Sequence, residues 1–252
     1  MHKLGLLACL CLLGAQALPA QETAAASKAE LPSGESIVDK YIEATGGVDA
    51  YKKLKNLVIK GAFEAAGMKA DVTIYKAEPN LMLTEATIPG MGKMLEGVDG
   101  KIAWTYNAIQ GPAIKKDEIA ELTLINAQFR EEEWRAKFAK AENVDIEIVE
   151  GEECYKVLLT PKFGSDTSTN YYSSKTGLVV RIDTKVKSPM GDFTMQVIPK
   201  DYKKVGDLLM AHTSIQKIAG QEIKTVYTEV KTNVDIPKST FEPPAEVKAL
   251  LK

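Results

Sequence analysis

The chain has 252 residues, of which 32 are basic and 34 acidic, for a formal charge of −2, and it is 45% apolar and 26% charged. Such a balance belongs to a globular protein, and charges spread without blocks leave no basic footprint for nucleic acid. The length suits one large β-rich domain or two small ones.

Residues 1–20, MHKLGLLACLCLLGAQALPA, combine one Lys, an apolar run and small residues suited to cleavage after Ala17 or Ala20. This is the layout of a secretory signal peptide, too short for a stable membrane anchor. Leu6-Leu7-Ala8-Cys9 superficially resembles a lipoprotein processing site, but the apolar run continues past Cys9, which argues against lipid anchoring. The expected destination is the periplasm. With Cys9 and Cys11 removed, Cys154 stands without a disulfide partner in the chain, and its setting CYKVLLT reads as a small buried hydrophobe rather than a nucleophile. Residues 21–35, rich in Ala, Ser, Glu and Lys, read as a flexible tether, and residues 36–252 as a single domain.

Ser36 precedes Ile37, Val38, Tyr41 and Ile42, apolar positions at helical spacing, and Gly46-Gly47 ends that helix. From Leu57 the period changes to two, with strands expected at 57–65, 69–77, 81–88, 93–98 and 101–107. Turn residues such as Ala66-Gly67 and Asp99-Gly100 join them into an antiparallel meander. Between 115 and 140, Ile119, Leu122, Ile125, Phe129, Trp134 and Phe138 recur at three to five residues, which predicts one or two amphipathic helices. Strands resume at 144–150, 154–161, 168–174, 177–186, 192–199, 208–218 and 222–230. So many strands must curl, and the simplest arrangement is α+β: a curved, unclosed antiparallel half-barrel of about 11–12 strands with helices covering its concave face. Alternation groups Val72 with Ile74, Ile102 with Trp104 and Tyr106, Leu178 with Val180 and Ile182, and Phe193 with Met195 and Val197.

No residue set announces catalysis. His212 is the one histidine beyond the leader, and no G-x-S-x-G accompanies it, so it reads as an ordinary strand residue. A zinc set or an EF-hand loop is absent from the sequence, and Glu131-Glu132-Glu133 reads as a solvated helix face. Gly90-Met91-Gly92-Lys93 lacks phosphate-loop spacing and reads as a flexible hairpin. What remains is apolar surface, in which Met91 and Met94 flank that hairpin as a pliable lip. A non-enzymatic binder without cofactor or metal is the expectation.

The order KYIEATGG, NLVIKGAF, DGKIAWTYNAIQGP, a helical insertion, TGLVVRIDTKV and then LLMAHTSIQKIAGQEIKTVYTEVKTNVDIPKSTFEPP resembles LolA-like proteins, the exported bacterial outer-membrane lipoprotein-sorting group. The resemblance implies an unclosed barrel whose apolar cavity holds lipid or lipoprotein acyl chains during transit. It also implies that Trp104, with Ile102 and Tyr106, faces the interior. The expected ligand-binding residues are Ile74, Met82, Met91, Met94, Ile102, Trp104, Tyr106, Leu122, Phe193 and Met195, in a monomer. Two alternatives stay open: an envelope regulatory or scaffold module that docks a protein partner, by analogy with anti-sigma-factor regulators of this fold, and a hydrolase using His212 or a carboxylate pair.

Overall fold

A computed structural model describes residues 31–116, 120, 123–124, 127, 130–162, 167–186 and 192–251, with the backbone alone at 186. Residues 32–252 form one compact unit. The signal peptide, the start of the tether and Leu122 lie outside the described residues.

The first helix, α1 (Gly34–Ala44), begins two residues earlier than Ser36 predicts, because Ser33 caps it by accepting the Ser36 N–H at 3.2 Å. It buries Ile37, Val38 and Ile42, and the short α2 (Val48–Lys52) follows the glycine stop with Tyr51 turned inward. The two are tied by the buried Thr45, whose hydroxyl donates to the Tyr41 carbonyl and accepts from the Tyr51 hydroxyl, both at 2.8 Å.

Among the described residues thirteen strands form one antiparallel sheet in the order β6-β5-β4-β3-β2-β1-β13-β12-β11-β10-β9-β8-β7. In the first half these are β1 (Asn56–Ala65), β2 (Met68–Ala77), β3 (Leu81–Ile88), β4 (Gly92–Asp99), β5 (Ala103–Asn107) and β6 (Gly111–Ile114). The second half comprises β7 (Phe138–Val149), β8 (Glu152–Pro161), β9 (Ser168–Ser173), β10 (Val179–Val186), β11 (Phe193–Val205), β12 (Leu208–Ile218) and β13 (Gln221–Thr232). Two meanders thus meet where β1 pairs with β13, and the sheet stays open between β6 and β7. Two-residue hairpins at Ala66-Gly67, Glu150-Gly151 and Ala219-Gly220 hold both residues at positive φ, the turn whose twist matches paired strands and sets their register. At the β1–β13 junction the register slips between Lys60 and Gly61, and a Cβ at Gly61 would stand 2.2 Å from the Val226 carbonyl oxygen. Only glycine lets the two halves close here.

The sequence expectation is corrected in several places, among them the ends of β7, which starts at Phe138, and β11, which runs on to Val205. A strand not foreseen, β6, carries Pro112, which a sheet edge tolerates because no inward N–H is needed. Strand β5 starts at Ala103, since the Asp99 carboxylate takes the N–H groups of Lys101 and Ile102 at 2.9 Å and holds them in a turn. The insertion between β6 and β7 ends in a 3-10 turn (Glu131–Glu133) and a single helical turn, α3 (Trp134–Lys137). Phe138 leaves the helical stripe to pair with Pro161 in the sheet. In β10, a bulge between Val179 and Arg181 places Val179 and Ile182 in the inner core but Val180 with Val149, Cys154 and Tyr171 in a separate cluster.

Both sheet faces are covered. On the inner face, α1, α2 and Trp134 pack on Val157, Leu159, Tyr172, Val179 and Leu208. Across the other half of that face, Ala127 and Leu124 of the insertion pack on Met82, Val98 and Ala103. The outer face around Leu83 and Trp104 is covered by the C-terminal segment through Phe241 and Val247, the latter on α4 (Ala245–Lys248).

Candidate functional site

A hollow of about 450 Å³ lies on the inner face between the sheet and its helices. Strand phase explains its floor. Cross-strand partners share a face, so Leu57 opposite Lys76 and Ile59 opposite Ile74 aim the same way. Across the sheet, Leu159, Ile182 and Val197 continue this apolar wall. The roof is Val38, Tyr41 and Ile42 of α1, Tyr51 of α2 with Leu54 just beyond its end, and Glu131 and Trp134 of the insertion.

The insertion is pinned over the hollow by charge. Arg135 makes two hydrogen bonds of 2.7 Å to the Asp39 carboxylate, Trp134 Nε1 donates to the same carboxylate at 3.0 Å, and the guanidinium stacks 4.2 Å from the Trp134 ring. The Arg135 hydrogen bonds hold the Asp39 carboxyl below its ordinary range. Arg130 reaches the β2–β3 turn at Glu78, 2.6 Å away, and also pairs with Glu132 at 3.0 Å. Glu132 is therefore no solvated residue: its side chain is 3% exposed and engaged by Arg130, which corrects the reading of the Glu131–Glu133 run.

One end of the hollow is polar. Tyr41 donates to Glu131 Oε2 at 3.2 Å, Tyr202 to the Val179 carbonyl at 3.0 Å, and Asn170 Nδ2 to the Tyr172 hydroxyl at 3.2 Å. Burial, reinforced by the Glu131 charge, holds the Tyr41, Tyr51, Tyr172 and Tyr202 hydroxyls above the ordinary tyrosine range, so they remain protonated donors. Lys76, on the floor, is pulled down to about 8 by burial; Glu131 opposes that fall and Lys137 adds to it.

The predicted residues separate into groups. Ile74 lines the hollow. Met82 is 7% exposed on the same face, packed with Val98, Ala103 and Ala127 beside the hollow. Met94 pairs with Ala86, and Ala86 with Val72, which places it on that face further from the cavity, while Met91 is 40% exposed in the β3–β4 turn. Phe193 and Met195 share the phase of Val197, nearer the start of β11.

Trp104, Ile102 and Tyr106 are the correction. Trp104 pairs with Gly97, Gly97 with Leu83 and Leu83 with Tyr75, a row opposite in phase to Ile74 and Lys76. These residues sit under the C-terminal segment, not in the cavity, and Trp104 is 1% exposed. A second hollow of about 350 Å³ lies there, bounded by Tyr75, Trp104, Glu85 and Glu242 among others. Residues missed by sequence reasoning are Lys76, Glu131 and the tyrosines; the in-phase series Val72, Ile74, Lys76 was the available signal.

His212 Nδ1 donates to the Met210 carbonyl at 3.0 Å. Cys154 is 0% exposed and burial pushes its thiol up to about 11, as a structural cysteine requires. Among the described residues no group of three or more His, Cys, Asp or Glu stands together as a metal site.

No family model matches the chain, and no curated protein matches it. Solved structures do. A DUF1329 family protein from Desulfovibrio piger superposes with a TM-score of 0.59 at 12% identity, covering 86% of this chain and all 100% of that one. A LolA superfamily protein from Nitrosomonas europaea gives 0.57 at 13% identity, over 84% and 99% of the two chains. A domain described as outer membrane lipoprotein-sorting, from Vibrio parahaemolyticus, gives 0.56 at 12% identity, over 86% and 97%. At such identities the likeness concerns the fold. The open sheet of thirteen antiparallel strands wrapped around its helices is a LolA-like fold.

Proposed function

We propose that this chain is an exported, non-enzymatic binder of a lipid or lipoprotein acyl chain, held in the inner hollow of its single LolA-like domain (36–252). The observation that carries the reading is the cavity of about 450 Å³ with an apolar floor drawn from both halves of the sheet. That volume falls in the roughly 300–1,000 Å³ span of small-molecule sites. Each buried methylene contributes about 0.8 kcal/mol, so a stretch of ten supplies about 8 kcal/mol before the cost of association. The leader-like residues 1–20 support export, and the charged pins of the insertion make it a lid.

Native mass spectrometry of protein purified from the periplasm without detergent tests this. The expected result is a co-purified lipid and saturable uptake of a fluorescent fatty acid by the emptied protein. Absence of both would overturn the reading.

A second reading, docking of a protein segment by a sheet edge, has one observation in its favour. The open edge β7 leaves Val144, Ile146 and Ile148 exposed by 50%, 39% and 73%, in alternate positions between Asp145 and Glu147. An extended basic segment would fit such an edge. Ile146→Lys with Ile148→Lys separates the readings, since docking is lost in that variant while acyl uptake persists.

A further inference from the structure

We propose that four uncharged hairpin turns at one end of the sheet seat this protein on an electroneutral phospholipid bilayer, with Met68, Met91 and Ile109 entering the interfacial layer. The proposal rests on the acyl-chain reading for its purpose and adds the surface from which the chain is drawn.

The four turns are neighbours. From β6 round to β12, the β5–β6, β3–β4, β1–β2 and β12–β13 hairpins turn at the same end, because an antiparallel meander alternates its ends and Ala65 of β1 pairs with Ile223 of β13. Their turn residues are Ala108-Ile109-Gln110, Pro89-Gly90-Met91, Ala66-Gly67 and Ala219-Gly220, none of them charged. At the opposite end each hairpin turn among the described residues holds a charge, at Glu78, Lys101, Glu150, Lys175 or Asp207. On the uncharged rim Met68 is 52% exposed, Met91 40% and Ile109 67%.

Three features of this rim fit lipid. Its backbone is satisfied internally: Asn107 Oδ1 accepts the Ile109 and Gln110 N–H groups at 3.0 and 2.6 Å, and the Met91 N–H donates to the Ile88 carbonyl at 3.0 Å. A tip therefore enters a water-poor layer without stranding an amide. Successive hairpins stand two strand spacings, about 10 Å, apart, so the apolar tips are separate fingers that fit between headgroups rather than the continuous face a protein partner covers. The charges behind the tips are matched: Lys69 with Glu64 at 3.4 Å, Lys93 with Glu85 at 2.7 Å, and Lys217 opposite Glu222 in the sheet register. Matched charge suits zwitterionic headgroups and gives no pull toward an anionic surface.

The rim also connects to the hollow. In phase with Ile59 and Ile74 of the floor, Gly61 pairs with Val72 and Phe63 with Ala70 toward the β1–β2 turn. Met195 and Phe193 continue from Val197 toward the same end of the sheet. A hydrocarbon chain thus meets apolar residues from the bilayer to the cavity.

Flotation of the protein with phosphatidylcholine–phosphatidylethanolamine vesicles tests the proposal. Wild type is expected to float with the vesicles equally well in low and high salt. Met68→Asp with Ile109→Asp should weaken that partition about tenfold or more, with uptake of a fluorescent fatty acid from solution retained. An environment-sensitive dye on Ile109→Cys should shift to the blue on vesicles, and the same dye on Lys175→Cys should not; Cys154, 0% exposed, stays unlabelled. Failure of wild type to float, binding that survives in the double variant or is abolished by salt, or a shift at position 175 instead of 109 would overturn the docking surface. Vesicle binding without uptake of fatty acid would instead overturn the acyl-chain reading and leave the surface standing.

Discussion

Two hollows lie on opposite faces of one sheet, and both are bordered by aromatic side chains. On the inner face, tyrosines surround about 450 Å³ of space under α1 and α2, with a lysine on the floor and a glutamate on the roof. On the outer face, Trp104 is laid flat against Gly97 beneath Phe241 and Val247. The inner aromatics border the cavity with hydroxyls fixed by hydrogen bonds, from Tyr51 to Thr45 and from Tyr202 to the Val179 carbonyl, whereas the outer one is packed against Gly97.

The comparison breaks most visibly at Trp104. Trp104→Ala should lower stability by about 3–5 kcal/mol in a denaturant titration and leave fatty-acid affinity unchanged in the folded fraction. Loss of affinity at unchanged stability would reverse the two roles. Gly97→Ala probes the same contact, since its Cβ would lie 2.2 Å from Trp104 Cζ2. A loss of about 1–3 kcal/mol is expected, again without an effect on uptake.

The inner face answers to pH instead. Lys76 is lowered in the folded protein to about 8 from 10.5, so the unfolded chain binds the extra proton between those values and stability gains as pH rises through that window. The charges that set this are Glu131, which opposes the shift, and Lys137, which adds to it. Above about pH 10 the tyrosines pull the other way, because their folded values lie above the unfolded one. Between pH 8 and 10, the unfolding free energy from urea titration should therefore rise in wild type by roughly 1–2 kcal/mol relative to Lys76→Met. Parallel curves for the two proteins would contradict the burial of that ammonium. The smallest effect is expected at the lid: Asp39→Ala removes the Arg135 and Trp134 hydrogen bonds and should cost about 1 kcal/mol at neutral pH. Since pairing depresses the Asp39 carboxyl, that contribution is full above the unfolded value and vanishes as pH falls through the folded one.

Much of the fold was legible because it is local. Alternation and X-Gly turns place most strands within a residue or two, as at 81–88 and 208–218, where prediction and structure coincide. The faces were harder. Alternation shows that Trp104 and Tyr106 share a side, but which side is concave depends on where α1 and the C-terminal segment pack, and that is set by long-range contacts. A single bulge in β10 reassigns Val180, and no local pattern announces it. The Lys76 site was hidden for a related reason: a lysine in a strand reads as solvent-facing until the residues two and four positions before it, Ile74 and Val72, are followed to the inner face.

The central claim is that an acyl chain enters the inner hollow. Titration with a doxyl-labelled stearate, followed by methyl and indole signals in NMR, tests it directly. Selective broadening of Ile59, Ile74 and Ile182, with the Trp104 indole signal unchanged, is the predicted result. Broadening at Trp104 with those isoleucines unaffected would place the ligand on the outer face and contradict the account.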